Sequence, residues 1–307
     1  MTKAVRIARD IAVDIAKNAA MAVPAMRARR LGRPRATAAF AGGDAQLERF
    51  AFAPLRHLIR LGVPLAGRQV AEIGPGDYLT SGLAMLAAGA GSYTAIERFV
   101  GDYRGADAKA WYTSIERHWP RFFPHLPWPP GLSGPTFPES GGARVEVIDR
   151  PIEDIDPTKR FDVLCSFQVG EHVSDLDAFA RMHARLMKPD GVAVHRVDFA
   201  PHDRWEAYDD PLTFLRPPDW IWSLMGSRRG LPNRFRHHEF VDAFRAAGLS
   251  VERAELETFA QTPDRSKLAS RFREMPEDSL AVSAAIYVVR TRTAPSAPGI
   301  VPRTSST

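Results

Sequence analysis

The chain has 307 residues, 45% of them hydrophobic and 25% charged, with one cysteine, Cys165. That composition is ordinary for a globular domain; a lone cysteine excludes an internal disulfide and suits a reducing cytosol, and no apolar run of about 18 residues marks a transmembrane segment. The net charge of +5 is unevenly placed: residues 1–36 hold nine bases and two acids, +7, which leaves −2 for the rest, so the basicity belongs to an arm and a nucleic-acid partner for the body is not indicated.

In chain order, Ile7, Ile11 and Ile15 stand four apart, the spacing of one helical face. Residues 1–45 therefore read as a basic helical arm that packs on the body or on a second subunit, the latter giving a homodimer. Asp10, Asp14 and Lys17 interrupt any secretory core, which points to a cytoplasmic protein. Residues 45–61 form a second helical stretch, ended or kinked by Pro54. A strand at 69–73, a glycine turn and a helix to about residue 88 follow, then a strand at 92–96 closed by Glu97. After a helix at 105–119, seven prolines between 120 and 138 rule out regular helix or central strand and predict an insertion, ordered or lid-like. Strands at 144–148, 161–168 and 192–197 flank a helix at 175–187 that ends in Lys-Pro-Asp-Gly. The alternation predicts a parallel doubly wound sheet. A helix at 237–249 precedes two strands, 250–256 and 281–289, close enough to pair antiparallel at the edge. Residues 293–307, rich in Pro, Ser and Thr, are expected to be disordered.

The stretch Val-Ala-Glu-Ile-Gly-Pro-Gly-Asp-Tyr, residues 70–78, places two glycines where a strand gives way to a helix. Glycine lets backbone approach a ligand closely, and the helix start offers unpaired N–H groups. A dinucleotide floor needs G-x-G-x-x-G; here the third glycine is missing and Asp77 stands where a pyrophosphate would need neutral donors. A cationic ligand fits better.

Residues 69–197 and the final two strands resemble class I S-adenosylmethionine-dependent methyltransferases. The glycine turn matches their E/D-x-G-x-G signature, Tyr-Thr-Ala-Ile-Glu-Arg their second-strand acid, Pro-Ile-Glu-Asp-Ile the segment after strand three, and the run from Phe161 to Val194 their fourth strand, following turn, helix and entry to strand five. The resemblance implies a Rossmann-like doubly wound seven-stranded α/β sheet, mostly parallel with an antiparallel last strand. It spans a domain at 46–292, with the arm before it and insertions near 120–140 and 199–236 as a lid. It implies S-adenosylmethionine as cofactor, with S-adenosylhomocysteine as product. Gly74, Pro75 and Gly76 would admit its methionine part, Glu72 its ammonium and Glu97 its ribose hydroxyls. Arg98 follows at the adenine edge; Ile152 with Glu153 or Asp154 would cover the adenine, although Pro151 stands where many relatives carry an Asp. Ser166 and Gln168 end strand four, where ligands of open α/β sheets sit.

For the acceptor, strand four ends in Cys-Ser-Phe-Gln rather than the N/D-P-P-Y/F/W of base N-methyltransferases, which with the slightly acidic body argues against nucleic acid and for a small molecule methylated at oxygen or nitrogen. His202, then Asp198 and His172, are the candidate bases. His195, Trp205, Tyr208, Trp220 and Arg234 are the candidate acceptor contacts, the aromatics as a wall and the arginine for an acidic group, with Arg236 beside it. No tight ligand spacing predicts a metal. Two other readings share the fold: a non-catalytic partner subunit that docks through the arm, and an RNA or protein methyltransferase whose arm binding would be salt-sensitive.

Overall fold

Apolar runs become the strands of one sheet because a central parallel strand is covered on both faces and needs no polar side. The computed structural model describes residues 2–26, 43–260 and 264–292. Its strands are β1 (Gln69–Ile73), β2 (Ser92–Ile96), β3 (Val145–Ile148), β4 (Phe161–Phe167), β5 (Met187–Asp198), β6 (Leu249–Thr258) and β7 (Val282–Thr291), in the order β3-β2-β1-β4-β5-β7-β6. The first five run parallel; β7 is antiparallel to both β5 and β6. The order turns back between β1 and β4, which opens the crevice used by ligands in such sheets at the C-terminal strand ends.

Helices cover both faces. On one, α2 (Ala53–Arg60), α3 (Thr80–Ala87) and α4 (Ala106–Phe122) pack with Val70, Tyr93, Val163 and Val194. On the other, α5 (Leu176–Leu186) and α7 (His237–Ala246) pack with Ala71, Leu164, Ala193 and Tyr287. Between β5 and α7 the chain carries α6 (Asp219–Gly226), part of a third apolar cluster built on Trp205, Phe214, Leu215 and Phe272.

Helix α1 (Lys3–Ala20) is seated on this third cluster through Ile7, Ile11 and Ile15. Its polar residues complete the seat. Buried Asp14 accepts from Trp205 Nε1 at 3.1 Å and pairs with Arg229 at 2.8 Å; Asp10 accepts from Tyr208 Oη at 2.6 Å; Asn18 bonds the carbonyl of Leu224 and the N–H of Arg228. So α1 packs on the body of its own chain, the first of the two expected seats. Five of the arm's bases, Arg27 to Arg35, and the tail at 293–307 lie outside the described residues.

Two details depart from the expected elements, and a third accords with them. Before Pro54 the helix widens into a π-helical turn, Glu48–Phe52; proline has no N–H for the carbonyl four residues back, and that carbonyl, of Phe50, accepts from Thr80 Oγ1 at 2.7 Å. Helix α4 runs through Pro120 to Phe122, because a proline in the last turn forfeits a single bond. The proline-rich segment after it is packed as an ordered insertion: Trp119 Nε1 bonds the Leu126 carbonyl, Trp128 Nε1 that of Leu132, and Phe137 is buried in the first cluster.

Candidate active site

The glycine turn follows β1 and leads to α3. Gly74 and Gly76 have φ of 69° and 83°, in the left-handed region that glycine takes without strain. A Cβ on Gly74 would sit 2.6 Å from Val169 Cγ2; one on Gly76 would meet nothing within 4 Å. The first glycine therefore lets the turn after β4 close against it, and the second faces open space. Gly74, Pro75 and Gly76 are all partly exposed.

Glu97 ends β2 and ties two turns together, accepting from Gly76 N at 3.2 Å and Phe99 N at 2.8 Å. Arg98 is exposed, its guanidinium 5.3 Å from the Phe99 ring. Glu72 is directed inward: buried, it accepts from Ser81 Oγ at 2.5 Å and Tyr93 Oη at 2.6 Å, and burial pushes its carboxyl up against those hydroxyls. It braces β1, α3 and β2 beneath the turn. Across the crevice, Ile152 and Asp154 lie in a 3-10 turn, Ile152–Asp154, with Ile152 packed on the second cluster and Asp154 exposed; Glu153 is in the same turn.

The far wall comes from the ends of β4 and β5. Gln168 is exposed, with φ of 61°, and donates its N–H to the Arg196 carbonyl at 2.8 Å. A non-glycine residue held there is strained, as residues at functional sites often are. The 3-10 turn Gly170–His172 comes next. The later insertion clamps it: Asn233 Nδ2 donates to the Gly170 and Val173 carbonyls, Asn233 N to that of Glu171, and His172 Nδ1 to that of Gly230. At the end of β5, His202 Nε2 lies 3.6 Å from Asp198 Oδ2, and the His172 and His202 rings are 5.8 Å apart. Asp198 raises the pKa of His202. For Asp198 burial acts upward, but the bonds from His202 and from Ala200 N outweigh it and the carboxyl falls below its usual range. His202, Asp198 and His172 thus stand together.

Ser166 and His195 do not face this crevice. Both are fully buried on the α5 and α7 side, 2.8 Å apart, with the His195 ring against Phe179, His183 and Phe244. Alternation along the strands turns Cys165, Phe167 and Val194 to the first core and Ser166 and His195 to the second, while Gln168 lies just past the end of β4 and Asp198 closes β5. The expected acceptor contacts are also largely engaged by the chain itself. Trp205 and Tyr208 are buried and hold α1. Arg234 is buried against Asp219 and the Phe214 and Pro217 carbonyls, with burial lowering its guanidinium to about 10. The Arg236 guanidinium donates to the backbone carbonyls of Phe199, Leu280 and Val282 and lies over the Phe199 ring. Trp220 stands 66% exposed on α6. The dense aromatics serve as the core that seats α1, a use that spacing alone does not separate from a ligand wall.

Residues 47–254 match the model of a family described as methyltransferase domain. The chain belongs to this methyltransferase-domain family. Two ubiquinone biosynthesis O-methyltransferases are similar to it. That of Rhodopseudomonas palustris (strain HaA2) is 49% identical over 43 residues, 14% of this chain and 17% of the relative; that of Bradyrhizobium sp. (strain ORS 278) is 38% identical over 56 residues, 18% and 22%. The match spans less than a quarter of these relatives' length. Among solved structures, the geranyl diphosphate C-methyltransferase of Streptomyces coelicolor A3(2) has a TM-score of 0.46 at 13% identity, covering 81% of each chain.

The methyltransferase's own residues fit the cofactor. A sulfonium with an ammonium is cationic, and the turn offers open glycine backbone beside Glu97 and Asp77, with no basic side chain among residues 69–79. The left-handed backbone of Gln168 and the burial of Glu171 in the turn after β4 are not revealed by composition.

Proposed function

We propose that this methyltransferase transfers the methyl group of S-adenosylmethionine to an oxygen or nitrogen of a small-molecule acceptor. The observation that carries the reading is the half-buried His202–Asp198 pair at the end of β5, across from the glycine turn. The cofactor supplies an electrophilic methyl on sulfur. The chain supplies the rest. Gly74–Gly76 and Glu97 hold the donor, and the clamp by Asn233 shapes the opposite wall. Asp198 faces His202 Nε2 and favours the tautomer with the proton there, which leaves Nδ1 to take the acceptor's proton. The 3.6 Å separation is long for a hydrogen bond and holds the two groups at ion-pair distance. The similarity to ubiquinone biosynthesis O-methyltransferases favours oxygen. Helix α1 has its apolar face engaged on its own chain, which weakens a reading of α1 as a docking element.

The test is turnover against an acceptor panel together with calorimetric binding of S-adenosylhomocysteine. His202→Asn and Asp198→Asn are expected to bind the product as the parent does while turnover falls about 100-fold or more, the lower range for a lost proton acceptor. Full turnover in both variants would overturn the assignment. Gly74→Val is expected to abolish binding.

A further inference from the structure

The acids of α1 hold the segment that carries His202. That segment leaves β5 and enters a 3-10 turn, Asp203–Ala207. Asp203 has φ of 55°, a left-handed backbone that persists where its surroundings hold it. Much of the holding comes from α1. Asp14, 2% exposed, accepts from Trp205 Nε1 at 3.1 Å and pairs with Arg204 Nε at 3.3 Å and with Arg229 at 2.8 Å. Asp10 accepts from Tyr208 Oη at 2.6 Å, and Arg6 donates to the Ala207 carbonyl at 3.0 Å. Trp205 in turn donates its N–H to the His202 carbonyl at 3.2 Å, so the residue that Asp14 holds is itself bonded to the residue that bears the imidazole. Arg229 also lies 3.8 Å from Asp203 Oδ2. Its neighbour Gly230 supplies the carbonyl for His172 Nδ1 at 3.1 Å, and Asn18 fastens the same stretch through Arg228 N at 2.8 Å.

We propose that Asp14 is a positioning residue for His202: through Arg204, Trp205 and Arg229 it fixes the turn that sets His202 against Asp198 and His172, so that the site is complete only with α1 docked. This rests on the reading of His202 as the acceptor's base. Apolar burial of Ile7, Ile11 and Ile15 holds α1 to the insertion but has no direction. A buried carboxylate does, because it is satisfied only where its donors converge on it. Here the indole and two guanidiniums converge, which ties positions 204, 205 and 229 to one point of α1. The two imidazoles, 5.8 Å apart, thus sit on stretches that Asp14 and Asn18 hold together. A displacement of about 1 Å in a reacting group can lower turnover about 100-fold from a distant substitution. The bonds of α1 fall on residues 204–208 and 224–229, whereas Gly74–Gly76 and Glu97 belong to β1, β2 and the turns after them. Losing Asp14 therefore falls on turnover and spares the cofactor.

The test uses the full chain. Asp14→Asn keeps an acceptor for the Trp205 indole and loses the charge facing Arg204 and Arg229; Asp14→Ala loses both. Three quantities are measured in each: turnover, calorimetric binding of S-adenosylhomocysteine, and the NMR cross-peak between ring protons of His172 and His202, assigned from His202→Asn. Turnover is expected to fall about tenfold in Asp14→Asn and about 100-fold in Asp14→Ala, with product affinity within about twofold of the parent. The cross-peak is expected to weaken in the first variant and vanish in the second. If Asp14→Ala folds poorly, Asp14→Asn decides. Unchanged turnover and an unchanged cross-peak in Asp14→Asn would overturn the proposal. So would a loss of product binding in step with turnover, which would make α1 a support of the whole fold. Full turnover in His202→Asn would instead remove the base assignment, and with it the catalytic use of Asp14, while a cross-peak lost in Asp14→Ala would still show that Asp14 holds the turn.

Discussion

His183 gives the most quantitative prediction. It lies on α5, fully buried, with Nδ1 2.6 Å from the Phe179 carbonyl and Nε2 without a partner. A carbonyl only accepts, so Nδ1 carries the proton and Nε2 is bare. His195, its Nε2 also unpartnered, lies 4.4 Å away between ring centroids. Neither imidazole can charge there without facing the other in an apolar core. Burial lowers His183 from 6.5 to about 4. A depressed histidine contributes stability that is complete above its unfolded value and is lost as pH falls toward the folded one. Between about pH 7.5 and about pH 5 the loss from His183 alone comes to about 2 kcal/mol. Glu171 works the other way: raised to about 7, it favours the fold at low pH and loses that contribution as pH rises through 7. The parent's own curve is therefore flattened, and the informative quantity is a difference. Urea unfolding of parent and His183→Leu at the two pH values should show the variant gaining about 2 kcal/mol relative to the parent on acidification. A difference constant with pH would refute the assignment of His183 as a buried neutral base.

Three further outcomes are expected. Gly82→Ala on α3 places a Cβ 2.3 Å from Tyr93 Cε1, so it should push the ring off Glu72 and cost about 1–3 kcal/mol in thermal unfolding; an unchanged midpoint would contradict the packing. Asp14→Ala leaves Trp205 Nε1 and Arg229 without their buried acceptor and should cost roughly 3 kcal/mol, with faster amide exchange confined to α1 and residues 203–229. Glu97→Gln, which keeps the shape but loses the charge at the end of β2, should weaken S-adenosylhomocysteine binding by about tenfold in calorimetry, since a charge-assisted bond is worth about 1.5–3 kcal/mol.

The sheet could be read from the sequence because each strand is a short apolar run bounded by turn residues, and the glycine turn because 74 and 76 are the positions where a left-handed backbone is needed. The antiparallel pairing of β6 with β7 was expected from two late strands with little chain between them, whereas the insertion of β7 between β5 and β6 was not. The acceptor side was far less legible. Trp205 and Arg234 carry the same composition signal whether they face a ligand or a helix, and their actual partners, Asp14 and Asp219, are distant in different degrees: 191 and 15 residues away. Ser166 misled for a simpler reason. One step along a strand reverses the face, and the strand's end cannot be placed to one residue from its sequence.

The seat of α1 has a bearing on how the chain is made. The bonds from Asp14 reach 191 residues ahead to Trp205 and 215 to Arg229. At synthesis rates of about 5–20 residues per second, α1 would wait on the order of 10–40 s after leaving the ribosome before its seat exists. During that interval its isoleucine face is bare, while β1 to β5 are all made before the seat is complete. Helix α1 is thus made long before the part of the chain it docks on.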